Sequence, residues 1–202
     1  MGGRDPYSAS KGCAEIVFSA YLKSFFSQSA TRARAIGAAS ARAGNVIGGG
    51  DWGADRLVPD CIRALSRHQP IGIRNPRAVR PWQHVLEPLS GYLHLGAALW
   101  QDPQKYSGAW NFGPDNGSHL TVAAMTDRLI KYWGGGSWRD SGTDLKSVPQ
   151  GKALHEANLL KLNCDKAHAG LNWHSALTID ECLHMTAEWY KIFYAGSSNE
   201  ST

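Results

Sequence analysis

ARAIGAASARAGNVIGGG, residues 33–50, is a run of small residues with modest strand propensity that ends in a glycine-rich turn. That pattern predicts a buried central strand running into a site. Helical periodicity stands on both sides of it. Upstream, Asp5 suits an N-cap and Pro6 the first helical position, and apolar residues recur at Ile16, Val17, Ala20, Tyr21 and Phe25, predicting a helix over 6–28. Downstream, ADRLVPDCIRALSRH predicts a second helix over 54–68. Strands alternating with helices indicate an α/β protein with some parallel sheet.

The alternation continues along the chain. PIGIR (70–74) reads as a short strand, and NPRAVRPW (75–82) as a loop whose prolines and arginines exclude regular structure. Residues 85–100 read as a helix interrupted early by Pro88, and GAWNFGP (108–114) as a buried strand ending in a turn. LTVAAMTDRLIKYWG (120–134) is the next helix, with Thr121 as cap and Gly134 as stop. A strand near 152–158, a helix near 164–170 and an amphipathic helix over 178–194 complete the pattern. The polar tail AGSSNEST is expected to fray.

With 202 residues and 43% hydrophobic content, the chain is long enough for one good core or two small lobes. Its apolar runs stop short of the roughly 18 residues a membrane span needs. Cysteines stand at 13, 61, 164 and 182 without a CxxC pair or ligand-like spacing to histidine, so no metal is expected and reduced, mostly buried thiols in a cytoplasm are. A formal charge of +4 suits an anionic ligand, yet no basic block or stripe points to nucleic acid. Trp52, Trp82, Trp110 and Trp138 fall beside charged or turn residues, where an indole can wall a polar pocket.

RDPYSASKGCAE (4–15) carries the first sign of chemistry. Residues four apart share a helix face, so Tyr7 and Lys11 project side by side from the first two turns. A tyrosine titrates near about 10 and is a poor base at neutrality; an adjacent ammonium favours the phenolate. Such a pair takes a proton from an alcohol during hydride transfer. It also arises by chance, so its surroundings decide.

Those surroundings are ordered blocks: DPYSASKGCAE, then ARAGNVIGGGDWGADRLVPDCIRAL, IRNPRAVRPWQHVLEPLSGYL and AWNFGP. Together they resemble the extended short-chain dehydrogenase/reductase family over almost the whole chain, and RNPRAVRPWQHVLEPLSGYL resembles a branch of nucleotide-sugar dehydratases acting on CDP-glucose. The resemblance implies oxidation at C4 of the glucose, elimination of water across C5 and C6, and return of the hydride to C6, with NAD as cofactor. Tyr7 is then the base, Lys11 its modulator and ribose contact, and Ala43 a backbone contact to the nicotinamide carboxamide. Asn45, Arg56 and Arg80 are expected at the sugar diphosphate, Arg74 at the nucleobase and His119 near the nucleotide. Asn111 is read as structural, and His84 and Glu87 as orienting a helix start rather than as an acid/base pair.

Family members carry a dinucleotide fold ahead of the tyrosine, opening on a glycine-rich turn that sets the pyrophosphate on a helix N-terminus. The glycine run at 48–53 follows the tyrosine, so it is not read as that cradle. The resemblance therefore implies the C-terminal part of such an enzyme, inactive alone and without tight NAD binding of its own. Residues 1–53 would end the dinucleotide-binding domain and 54–202 form a substrate-binding lobe, with 83–113 returning to the first domain. The expected fold is an incomplete Rossmann-like parallel sheet plus a small α/β lobe. A homo-oligomer through the Tyr7 helix is also implied. Two alternatives stay open: another NAD-dependent sugar-nucleotide epimerase or dehydratase, and a non-catalytic sugar-nucleotide-binding or dimerisation module.

Overall fold

A computed structural model describes residues 5–26, 36–114, 119–142 and 161–199. The elements in chain order are α1 (Pro6–Tyr21), β1 (Ala39–Ala43), β2 (Asn45–Ile47), α2 (Leu57–Ser66), β3 (Ile71–Ile73), β4 (Val79–His84), α3 (Leu86–Gln101), α4 (Pro103–Tyr106), β5 (Gly108–Phe112), β6 (His119–Thr121), α5 (Val122–Trp133), β7 (Trp138–Asp140), α6 (Asp165–Leu171) and α7 (Ile179–Asn199). Two compact units divide them. The first comprises residues 1–43, 88–112 and 163–174, and the second 44–87, 113–162 and 175–202. The expected strand at 152–158 lies outside the described residues.

In the first unit, β1 and β5 pair in parallel from Ala39 opposite Gly108 to Ala43 opposite Phe112. Trp110 and Phe112 of β5 meet Leu95 of α3, Ala167 of α6 and Trp173 in a small aromatic core. Phe112 stands edge-on to Trp173, with ring centroids 5.1 Å apart. Gly91 lets α3 lie against Phe112, whose ring occupies the place of any Cβ there. Pro88 falls in the first turn of α3 and does not interrupt it, contrary to the sequence reading. First-turn N–H groups have no intrahelical acceptor, so a proline there forfeits no bond.

α1 starts as its sequence dictates. Pro6 occupies the first turn and the Asp5 side chain accepts from Ser8 N–H at 3.0 Å. The helix widens into a π-helical turn over Leu22–Phe26. It buries none of its residues, and the periodic face at Ile16, Val17, Tyr21 and Phe25 is exposed.

The second unit holds the larger core. α2 packs Val58, Cys61, Ile62 and Leu65 against Ile71 and Ile73 of β3, Met125 and Leu129 of α5, and Leu183, Ala187 and Tyr190 of α7. Thr121 caps α5, its hydroxyl accepting from Ala124 N–H at 3.1 Å, and Gly134 ends that helix at φ 108°. α7 opens on a reciprocal box in which Thr178 N–H donates to Glu181 at 2.7 Å and Glu181 N–H to the Thr178 hydroxyl at 3.3 Å. It runs on to Asn199, through residues expected to fray, because no proline follows the packed turns at Tyr190 and Tyr194.

The 75–82 segment corrects the sequence reading. Its second half belongs to β4, the middle strand of the sheet β2-β4-β6. Val79, Arg80 and Pro81 pair antiparallel with β6, whereas Trp82, Gln83 and His84 pair in parallel with β2. The ladder changes partner just after Pro81. Among the described residues each half of the strand has a ladder on one side, an arrangement that accommodates the proline.

Candidate active site

The first unit displays the tyrosine and lysine as the four-residue spacing requires. Lys11 Nζ lies over the Tyr7 ring, 5.3 Å from its centroid, and Tyr7 is 73% exposed. The Ser10 hydroxyl donates to Tyr7 O at 2.7 Å, tightening that turn. Ala43 ends β1 opposite Phe112, at the carboxyl end of a parallel strand, where open α/β sheets place their ligands.

What holds the Tyr7 helix escaped the sequence reading. Two turns beyond Tyr7, Glu15 accepts from Arg42 Nε and Nη2, each at 2.7 Å, and from the Ser40 hydroxyl at 3.0 Å. Arg42 and Ser40 belong to β1. Arg42 also donates to Asn111 Oδ1 at 3.3 Å, and Asn111 Nδ2 to Asn163 O at 2.9 Å, so Asn111 braces the end of β5. The guanidinium fork and the Ser40 hydroxyl hold the Glu15 carboxyl below its ordinary range. For a helix with no buried residue, this fork-to-carboxylate clamp is a main tie to the sheet.

In the second unit the anion-binding candidates separate by sheet face. Asn45 stands opposite Trp82 in the parallel ladder, and Arg80 lies two residues before Trp82 on the same strand. Side chains two apart share a face, so Asn45, Arg80 and Trp82 stand together. Arg80 is 8% exposed and donates to Val79 O at 2.9 Å. The Trp82 indole N–H is buried without a hydrogen-bond partner among the described residues. His119 is registered with Pro81, and by the same alternation it projects from the opposite face.

Arg56 and Arg74 lie at one loop, residues 48–56. Arg56 N-caps α2 by position only and reaches Asp51 at 3.1 Å, while Arg74 pairs with Asp55 at 3.8 Å. All four side chains are solvated to some degree, so these pairs orient the arginines more than they stabilise the fold. The glycines of this loop serve packing: the Trp189 ring occupies the place of a Gly49 Cβ, and Gly50 has φ 75°.

His84 and Glu87 each accept from backbone N–H groups. His84 Nδ1 accepts from Leu86 N–H at 3.3 Å at the start of α3, and burial lowers its pKa although Glu87 opposes the shift. The buried Glu87 carboxylate accepts from Ala176 N–H at 3.1 Å and Leu177 N–H at 2.7 Å, fixing the entry to α7.

No protein-family model matches the chain. Over 197 residues it is 46% identical to the CDP-glucose 4,6-dehydratase of Salmonella typhimurium, covering 97% of this chain and 53% of that enzyme. The chain spans about half the length of the curated relative it matches. Its fold is similar to a crystal structure of UDP-galactose 4-epimerase, with TM-score 0.70, 16% identity and coverage of 93% of this chain and 54% of that one. It is likewise similar to the dTDP-glucose 4,6-dehydratase of Streptomyces venezuelae solved with NAD, with TM-score 0.72, 19% identity and coverage of 95% and 52%. At such identities the two structures speak for the fold alone, which is α/β with small parallel sheets, a partial Rossmann-like arrangement. No helix among the described residues is long and apolar enough to cross a membrane.

Proposed function

We propose, from the premise that this chain is a homologue of CDP-glucose 4,6-dehydratase, that it carries the tyrosine–lysine pair and the sugar-nucleotide-binding lobe of such a dehydration. The observation that carries the proposal is the Tyr7–Lys11 pair on an open first turn. Tyr7 accepts the proton of the C4 hydroxyl as that carbon is oxidised, and Lys11 offsets the charge left on the phenol oxygen and reaches a ribose hydroxyl. The ketone at C4 acidifies the C5 hydrogen, and water leaves from C6.

Tyr7, Lys11 and Ala43 suit the nicotinamide-ribose end of NAD, since they lie at a helix start and at the carboxyl end of a parallel strand. NAD, when bound, supplies the hydride acceptor at C4 and the hydride donor at C6. Its pyrophosphate finds no glycine cradle among the described residues, because the turn at 48–50 is packed under Trp189. Asn45 and Arg80, on one sheet face, would hold the diphosphate, with Arg56 at its rim. Arg74 and His119 would stand toward the nucleoside. A second copy would pair through the exposed Ile16, Val17 and Tyr21 of α1 and Phe25 of the π-helical turn.

Calorimetry of the purified chain with CDP-glucose tests the reading. Binding is expected, about 10- to 100-fold weaker in Arg80→Ala and unchanged in Tyr7→Phe. No binding by the unaltered chain would sink the proposal. With NAD added, no 4-keto-6-deoxy product is expected from the chain alone, because the pyrophosphate cradle is lacking among the described residues. That gap favours the binding-module alternative for the chain by itself; release of product would reject that alternative.

A further inference from the structure

Trp52 stands at the tip of the loop between Asn45 and Arg56, 42% exposed, and the loop beneath it is built with unusual completeness. Tyr190 donates its hydroxyl to Asp51 O at 2.6 Å. Asp51 Oδ1 accepts from Gly53 N–H at 3.0 Å, and Asp51 also holds Arg56. Arg63, in the second turn of α2, donates to Trp52 O and to Gly53 O, both at 3.2 Å. The carbonyls on both sides of the tip are therefore pinned, and the indole itself is braced by three rings of α7. Tyr190 and Tyr194 meet it edge-on at 5.2 and 6.2 Å, and Phe193 is tilted against it at 5.1 Å.

A large aromatic side chain held this firmly and yet left in water has its ordering cost met before any ligand arrives. Planar bases stack on such rings with little demand for a particular hydrogen-bond pattern. The loop also carries a directional cue. Asp55 pairs with Arg74 at 3.8 Å, so the arginine assigned to the nucleobase end is tied to the loop that presents Trp52. Asn45 and Arg80, assigned to the diphosphate, are on the β2-β4-β6 sheet of the same unit.

The geometry points to Trp52 as a stacking platform for the nucleobase of the bound nucleotide, an inference that rests on the sugar-nucleotide reading above. The base lies against the indole while Arg74 contacts its edge and Arg56 its adjoining phosphate. Trp52 thereby contributes affinity for the nucleotide end and none for the hexose.

The test is calorimetry of the full chain with three probes: CDP-glucose, CDP and glucose 1-phosphate. Trp52→Ala is expected to weaken CDP-glucose and CDP alike by about 5- to 150-fold and to leave glucose 1-phosphate unchanged. Trp52→Phe, which keeps a ring and the packing on α7, should recover most of the loss, and a melting curve for each variant separates lost stacking from lost folding. As an independent readout, CDP should quench a fluorescence component present in the unaltered chain and absent from Trp52→Phe. Unchanged CDP affinity in Trp52→Ala, or a loss that extends to glucose 1-phosphate, overturns the inference while leaving the substrate reading intact. Failure of the unaltered chain to bind CDP-glucose or CDP overturns both.

Discussion

Glu15 joins a helix that buries nothing to a strand 24 residues further on, so its charge state controls how firmly α1 is held. Its folded pKa is lowered, chiefly by Arg42, so its contribution is present above the unfolded carboxylate range and is lost as pH falls through the folded value. The protection of α1 amides, taken relative to their intrinsic exchange rates at each pH, should therefore fall on acidification below about pH 4.5. Glu15→Gln should show the faster exchange already at neutral pH, at a cost of about 1 kcal/mol or less for so solvated a pair. Equal exchange in both proteins at pH 7 would contradict this. The cysteines offer a second check. Burial pushes the Cys61 thiol up to about 12 and Cys182 up to about 11, while Cys13 is exposed. Iodoacetamide at pH 8 should label Cys13 well before Cys61 and Cys182, as peptide masses would reveal. Tyr7 and Lys11 were legible in the sequence because one helix face brings residues four apart together. Glu15 and Arg42 were not, since 27 residues separate them and only the sheet makes them neighbours.

Among the elements, those with a long period and a proper cap could be read directly. α5 lies between Thr121 and Gly134 as its sequence announces, and α2, α6 and α7 stand where their apolar spacing puts them. β6 and β7 are three residues each, too short for alternation to register. β4 was hidden by Pro81, because local chemistry cannot show that a strand changes neighbour at the proline. α3 depends on an equally nonlocal fact, the ring of Phe112 against Gly91. Gly91→Ala would force that ring aside and should destabilise the chain by about 1–3 kcal/mol. Gly96→Ala, with open space around its Cβ, should be neutral or slightly stabilising through helix propensity. Comparison of their melting temperatures checks both, and equal values would refute the packing argument.

For the whole molecule, the α/β class followed from the order of strands and helices. The first unit gathers residues from three separate stretches of chain, a choice made by Trp110, Phe112 and Trp173 rather than by adjacency. Exposed apolar side chains on α1 predict self-association. Sedimentation equilibrium should report a dimer or larger, and the double substitution Ile16→Ser with Phe25→Ser should shift it toward monomer by removing two of the apolar contacts. A monomeric unaltered chain would oppose that expectation. The grip of Glu87 on Ala176 and Leu177 spans 89 and 90 residues, and this bears on the order in which the chain is born. As synthesis proceeds from the N-terminus, the Glu87 carboxylate emerges long before these donors exist and must wait in water. Its burial against them must follow the emergence of both amides, and a chain cut short before residue 176 leaves that acid unclasped by those two donors.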